Sequence, residues 1–146
     1  MKKKKSFKYE FILEPELNNA RHKLINPDFI SMDDPKYQEK WDRFSNGVSI
    51  NQYIVNLGIL VRKPIFNLMS IYFLGSAGPM IVDTETERQA KGFSFSHNLA
   101  IGLSVQFNQI IVDIRPAFRH VSNARINTPN KGYNTTNIQF GVAFPL

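Results

Sequence analysis

From Gly92 to Phe107 the chain alternates strictly between two kinds of residue. Phe93, Phe95, Leu99, Ile101, Leu103, Val105 and Phe107 fall on one face, and Gly92, Ser94, Ser96, Asn98, Ala100, Gly102, Ser104 and Gln106 on the other, with His97 the one break in the apolar row. Successive side chains of a strand point to opposite faces, so a period of two over this length is a β signal. A strand this long, apolar on one side and small or polar on the other, suits the wall of a membrane barrel, with lipid outside and a polar lumen inside. A spanning helix would need roughly 18 uninterrupted apolar residues. The apolar stretch Leu68 to Val82 is shorter and contains Gly75, Gly78 and Pro79.

The same pattern recurs. Ile110, Val112, Ile114, Pro116 and Phe118 share a face opposite Asp113, Arg115, Ala117 and Arg119, with Ile111 an exception. Asp113 and Arg115, both facing the lumen, are expected to supply part of each other's charge compensation. Ile138, Phe140, Val142, Phe144 and Leu146 alternate with Asn137, Gln139, Gly141 and Ala143; Phe7, Tyr9, Phe11 and Leu13 begin an earlier strand. Val48–Val61 and Leu68–Val82 read as two more, the first with a change of phase near Asn51–Gln52, as at a bulge. Six strands result. Their connections at Arg62–Asn67 and around Asn108 are short, whereas Asn18–Asn46, Asp83–Lys91 and Asn123–Tyr133 are long. In an up-and-down order all long loops lie at one end, the asymmetry of outer-membrane barrels. A soluble lipocalin-like barrel is the alternative, with the apolar rows turned inward around a ligand. The polar segment Pro27–Phe44 reads as an outer loop with a short helix.

The chain has no Cys, and its three His (His22, His97, His120) are far apart, so neither a disulfide framework nor a zinc centre is expected, and no cofactor. The net charge of +6 is dispersed apart from Lys2–Lys5. Anionic membranes and phosphorylated glycolipids suit such a chain as well as nucleic acid does, and no nucleic-acid partner is expected. No apolar region follows Lys2–Lys5, so the chain as read carries no usable export signal.

His120 and Ser122 stand two residues apart, hence on one face of the strand, and continue the row of Ile110, Val112, Ile114 and Phe118. A serine nucleophile and its general base require this proximity. On the outer wall such a pair could reach an ester inside the leaflet. The spacing equally fits two polar residues at a strand end, since a lone motif is weak.

The string Arg119-His120-Val121-Ser122-Asn123-Ala124, followed by Pro129-Asn130-Lys131-Gly132, resembles the signature of outer-membrane lipid A deacylases, the PagL family, and of related acyloxyacyl hydrolases. Gly75-Ser76-Ala77-Gly78-Pro79 and Gly92-Phe93-Ser94-Phe95 are similar to segments that these proteins carry upstream. The likeness covers Leu68–Leu146 well and the first half loosely. It implies an all-β, antiparallel up-and-down barrel of eight strands in the outer membrane. The activity it implies is a calcium-independent serine esterase that removes an ester-linked acyl chain from lipid A or a related glycolipid of lipopolysaccharide. By position Ser122 is the nucleophile, His120 the general base, and Asn123 lies where the family forms its oxyanion hole. Membrane lipid and a homodimer partner belong to the same expectation.

Three departures accompany the resemblance. The family's acidic third member falls at Asn134, which shares the outward parity of Ile138 and Phe140. Its amide oxygen could accept from the imidazole, but it lends no negative charge; in serine proteases the acid-to-amide change costs about 10⁴ in rate. Glu85 or Glu87 could supply the charge from a nearby loop, while Asp113 faces the lumen. Six strands stand against eight, which suggests a single barrel domain, residues 1–146, truncated at its N-terminus. Phe144-Pro145-Leu146 lacks the terminal aromatic of most such barrels. A non-catalytic barrel of the same family is the alternative activity reading. Basic residues Arg21, Lys36, Lys40, Arg88, Lys91, Arg125 and Lys131 either meet glycolipid phosphates or, for most of them, solubilise the outer loops.

Overall fold

The computed structural model describes residues 6–143; Lys2–Lys5 and Phe144–Pro145–Leu146 lie outside the described residues. The alternating segments form β1 (Lys8–His22), β2 (Val48–Pro64), β3 (Met69–Val82), β4 (Gly92–Phe107), β5 (Ile110–Ser122) and β6 (Tyr133–Ala143). They pair in chain order, each antiparallel to the next, in one curved sheet that makes a half-barrel. Ile65–Leu68 and Asn108–Gln109 make the short turns, and Asn108 takes the left-handed φ of 54° that asparagine tolerates. The long loops gather at the opposite end. There, α1 (Tyr37–Ser45) buries Phe44 against Leu24 and Ile30. Pro27–Phe44 therefore caps the outer end and adds no strand.

The alternation sorts side chains in the sense a lipid-facing wall requires. Phe11 (87 %), Leu57 (67 %), Leu99 (53 %) and Phe140 (79 %) project from the outer face, with Leu103 and Ile114 exposed beside them. Ser94, Ser96, Ser104 and Arg119 are buried inside. Apolar exposure on this scale is stable only where the surroundings are themselves apolar. A lipocalin-like barrel would have the two faces exchanged, and the structure excludes it. β2 keeps one register with β1 from Val48 to Arg62, and one with β3 throughout. The expected bulge at Asn51–Gln52 is absent: Gln52 is buried, and Asn51 pairs outside with Asn19 through a 2.7 Å hydrogen bond. The phase only looked broken because near the strand's outer end the outward positions turn polar (Ser49, Asn51) while the inward ones, Val48 and Ile50, join the apolar plug.

Inside, charge is compensated across the lumen. Arg119 donates to Glu16 of β1 (2.5 Å) and to Asn98 of β4 (2.6 Å); Arg115 donates to Glu14 of β1 (2.8 Å) and to Gln139 of β6 (2.5 Å). Arg62 pairs with Glu10 (2.7 Å) and Ser104. Asp113 accepts from the Tyr72 hydroxyl at 2.7 Å, so it and Arg115 take other partners than each other. Near the outer end Ile50, Ile54, Met80, Val82 and Val121 form an apolar plug, with Tyr133 packed on it.

β1 and β6 remain the two edges, and no ladder joins them among the described residues. Leu13 and Pro15 of β1 and Phe140 of β6 border the cleft between them, and Glu14, Glu16, Arg115 and Arg119 line it within.

Arg119 is nearly buried, so it depends on its partners. Glu16→Gln leaves it with neutral acceptors only and should cost about 1–3 kcal/mol. A lowered urea midpoint for the refolded protein in detergent would report that loss, and an unchanged midpoint would show that the pair contributes nothing.

Candidate active site

Val121 carries the geometry of this site. Fully buried in the apolar plug, it points inward, and the pleat turns its neighbours His120 and Ser122 outward. Across the ladders His120 stands between His97 of β4 and Asn134 of β6, and Ser122 stands opposite Phe95. His120 Nδ1 lies 2.7 Å from Asn134 Oδ1. An amide oxygen only accepts, so Nδ1 carries the proton and Nε2 keeps its lone pair. The expected meeting of His120 and Asn134 is thus present as a geometric fact.

Gly132 brings the two outward residues together. It sits at φ 62°, and a Cβ placed there would lie 2.7 Å from Val121 O, 3.3 Å from His120 Cε1 and 3.6 Å from Ser122 Cβ. His120 Cε1 and Ser122 Cβ therefore border the same small space beside Gly132. No hydrogen bond joins His120 to Ser122 among the described residues.

Two loops hold this arrangement from above. The β3–β4 and β5–β6 loops meet through Ala90 N to Pro129 O (2.9 Å) and Lys131 N to Arg88 O (2.8 Å). The Arg88 guanidinium donates to Gly132 O at 2.7 Å and lies over the Phe29 ring. Lys131 donates to Phe29 O. The sequence left these two basic residues between glycolipid phosphates and loop solubility; their contacts here span 44 and 102 residues, and no local pattern announces them.

Asn123 is completely buried. Its side-chain amide donates to Asn127 O and Pro129 O and accepts from Arg125 N, while its backbone N–H donates to Asn130 Oδ1 (3.0 Å). Ala124 and Arg125 follow in left-handed conformations, φ 51° and 65°, each costing roughly 1–2 kcal/mol for a residue with a Cβ. Such strain beside a site persists only where its surroundings enforce it, and Asn123 supplies that enforcement.

Glu87 belongs elsewhere. It accepts from His22 Nε2 at 2.7 Å and fastens the β3–β4 loop to the end of β1, so its charge is not directed at His120. Burial opposes its ionisation, yet the His22 hydrogen bond and its own backbone N–H outweigh that and hold the carboxyl below its ordinary value. No three His, Cys, Asp or Glu residues gather in a metal-binding group among the described residues.

Outward apolar strands, a charged lumen and long loops at one end define a β-barrel protein of the outer-membrane type, here with a histidine–serine pair on its outer wall. Compared with known families, the chain matches the lipid A 3-O-deacylases (PagL) over residues 18–143, and it belongs to that family. The match takes in five whole strands and the end of β1, reaching well beyond the Leu68–Leu146 region where the resemblance was clearest. Neither a curated protein nor a solved structure matches.

Two outcomes test this geometry. Gly132→Ala meets both an unfavourable φ and the Val121 carbonyl, so it should lower stability by more than about 1 kcal/mol; thermal unfolding in detergent measures it. A depressed carboxylate contributes its stability above the ordinary value of 4.5, and loses it as pH falls through the lower folded value. Glu87→Gln should therefore flatten the dependence of unfolding on pH below that point, and a profile identical to the parent's would remove Glu87 from the account.

Proposed function

We propose that the chain is an outer-membrane serine esterase acting on lipid A, with Ser122 as nucleophile, His120 as general base and Asn134 as the residue that orients it. Family membership supplies the substrate class. The observation that carries the mechanism is the 2.7 Å contact between His120 Nδ1 and Asn134 Oδ1, which leaves Nε2 as the ring nitrogen available to act as base. In an unliganded site the serine–imidazole hydrogen bond is often long and tightens with substrate.

The reaction follows from these positions. His120 Nε2 takes the Ser122 hydroxyl proton as Oγ attacks the ester carbonyl. The tetrahedral intermediate collapses, and the sugar oxygen leaves with the proton from His120. Water, deprotonated by the same imidazole, then releases the fatty acid from Ser122. Oxyanion stabilisation is commonly worth about 3–4 kcal/mol per donor. Asn123 serves it by shaping the Asn123–Gly132 loop, since its own N–H and amide are engaged within that loop. Asn134 fixes the tautomer without adding charge, so the imidazolium formed during attack lacks an anionic neighbour. A homodimer rests on family resemblance alone.

The test is mass spectrometry of lipid A after incubation with refolded protein. Ser122→Ala should abolish loss of the acyl chain without unfolding the sheet, and His120→Asn should nearly do so. Asn134→Glu should retain or raise the rate, because a carboxylate both orients and stabilises the imidazolium. Cleavage by Ser122→Ala at the parent rate would leave the family fold without this mechanism.

A further inference from the structure

His97 is the one polar break in the outward apolar row of β4, and the mechanism above does not use it. An ionisable side chain on such a wall marks a function and has a partner. The β4–β5 ladder supplies that partner: His97 stands directly opposite His120. Directly opposed residues of an antiparallel pair have Cβ atoms about 4.5–5.5 Å apart, so the two imidazoles meet on one face of the sheet. Their ring centroids are 6.2 Å apart and their planes are tilted by 40°. His97 is exposed and His120 half-buried. No spacing in the sequence joins these two residues, because only the register of the sheet does.

The separation suits a shared ion. A transition metal sits about 2.0–2.1 Å from an imidazole nitrogen, so two rings that hold one ion have centroids roughly 5–6.5 Å apart, according to the angle at the metal. The observed pair lies inside that range, and a turn of the exposed His97 ring brings it to the closer spacing of a tetrahedral angle. His120 is already arranged as a ligand. Metal-binding histidines nearly always donate their other ring N–H to an oxygen that fixes the tautomer, and His120 Nδ1 lies 2.7 Å from Asn134 Oδ1, which leaves Nε2 to bind. We propose that His97 and His120 form a binding site for a divalent transition-metal ion of the kind that prefers imidazole, zinc or copper, and that the bound ion reversibly inhibits the enzyme. Calcium and magnesium prefer oxygen ligands and do not suit two ring nitrogens. No third His, Cys, Asp or Glu completes a group with them among the described residues. The site is therefore open to water and weaker than a centre with three or four protein ligands. Binding stands on the geometry of the pair alone. Inhibition rests on the esterase reading, because the ion takes the lone pair with which His120 would accept the Ser122 proton.

Cu²⁺ added to the untagged, refolded chain in detergent tests the binding. Electron paramagnetic resonance should show coupling to two imidazole nitrogens, and calorimetry one ion per chain. His97→Ala should weaken the Kd on the order of a hundredfold, and Asn134→Ala, which removes only the orienting acceptor, about tenfold. His97→Cys supplies a thiolate in place of the imidazole and should hold Zn²⁺ where His97→Ala does not, which separates lost ligation from lost folding. His22→Gln should bind Cu²⁺ as the parent does, since the His22 ring is tied to Glu87. Zn²⁺ at ten times its Kd should lower ester hydrolysis about tenfold against each protein's own metal-free rate. EDTA should restore that rate, and His97→Ala should escape the inhibition. Absence of binding, a spectrum with a single nitrogen, or a Kd unchanged in His97→Ala would overturn the site, and binding that spares hydrolysis would overturn the inhibition. Two-nitrogen binding by a parent that cleaves no ester would sustain the site while the esterase reading fell.

Discussion

Two arginines of β5 reach across the lumen to two glutamates of β1, and much of the structure depends on that reach. Arg119 with Glu16 and Arg115 with Glu14 join strands four apart in the sheet order, and Gln52 of β2 meets Tyr133 of β6 across the same interval. Strands four apart face each other in a ring of eight, whose interior side chains just fill. The six strands thus take the curvature of a ring of about eight, which they do not close among the described residues. The ion pairs compensate charges that the lumen would otherwise leave unpaired, and they keep Arg119 facing inward. Since neighbours alternate, that in turn helps commit His120 to the outer wall.

The sheet was readable because alternation is a local property. β4 and β5 follow from the sequence with their observed bounds, and β2 and β3 nearly so. β1 runs five residues past its expected end at Leu17 because Asn18, Asn19, Arg21 and His22 show no apolar alternation. Their strand is held by pairing with Val48–Gln52, including Asn18 to Gln52 at 2.8 Å. A pattern that reports contact with lipid falls silent where the strand leaves lipid. β6 likewise begins at Tyr133, ahead of the apolar alternation that starts at Asn137 and within a residue of the expected loop end.

The site was legible in part. The i, i+2 relation of His120 and Ser122 and the outward parity of Asn134 needed only the strand period. Gly132 between them, Arg88 on the Gly132 carbonyl, and His22 with Glu87 are contacts between loops distant in sequence. Residue type gave no indication of them. Asn123 shows the difference between position and contact: resemblance placed it at the site, while its hydrogen bonds make it the residue that enforces two left-handed neighbours.

The amide opposite His120 also alters how the site responds to acid. A carboxylate in that place would ionise in its own right, and its protonation would release the imidazole's orientation together with its countercharge. Asn134 has nothing to titrate, so its oxygen accepts from Nδ1 at every pH at which the sheet stands. Under the proposed mechanism the partner of the base adds no ionisation of its own to the rate profile. Orientation and charge balance, which an acid performs together, are separated here, and only the first survives as a constant of the fold.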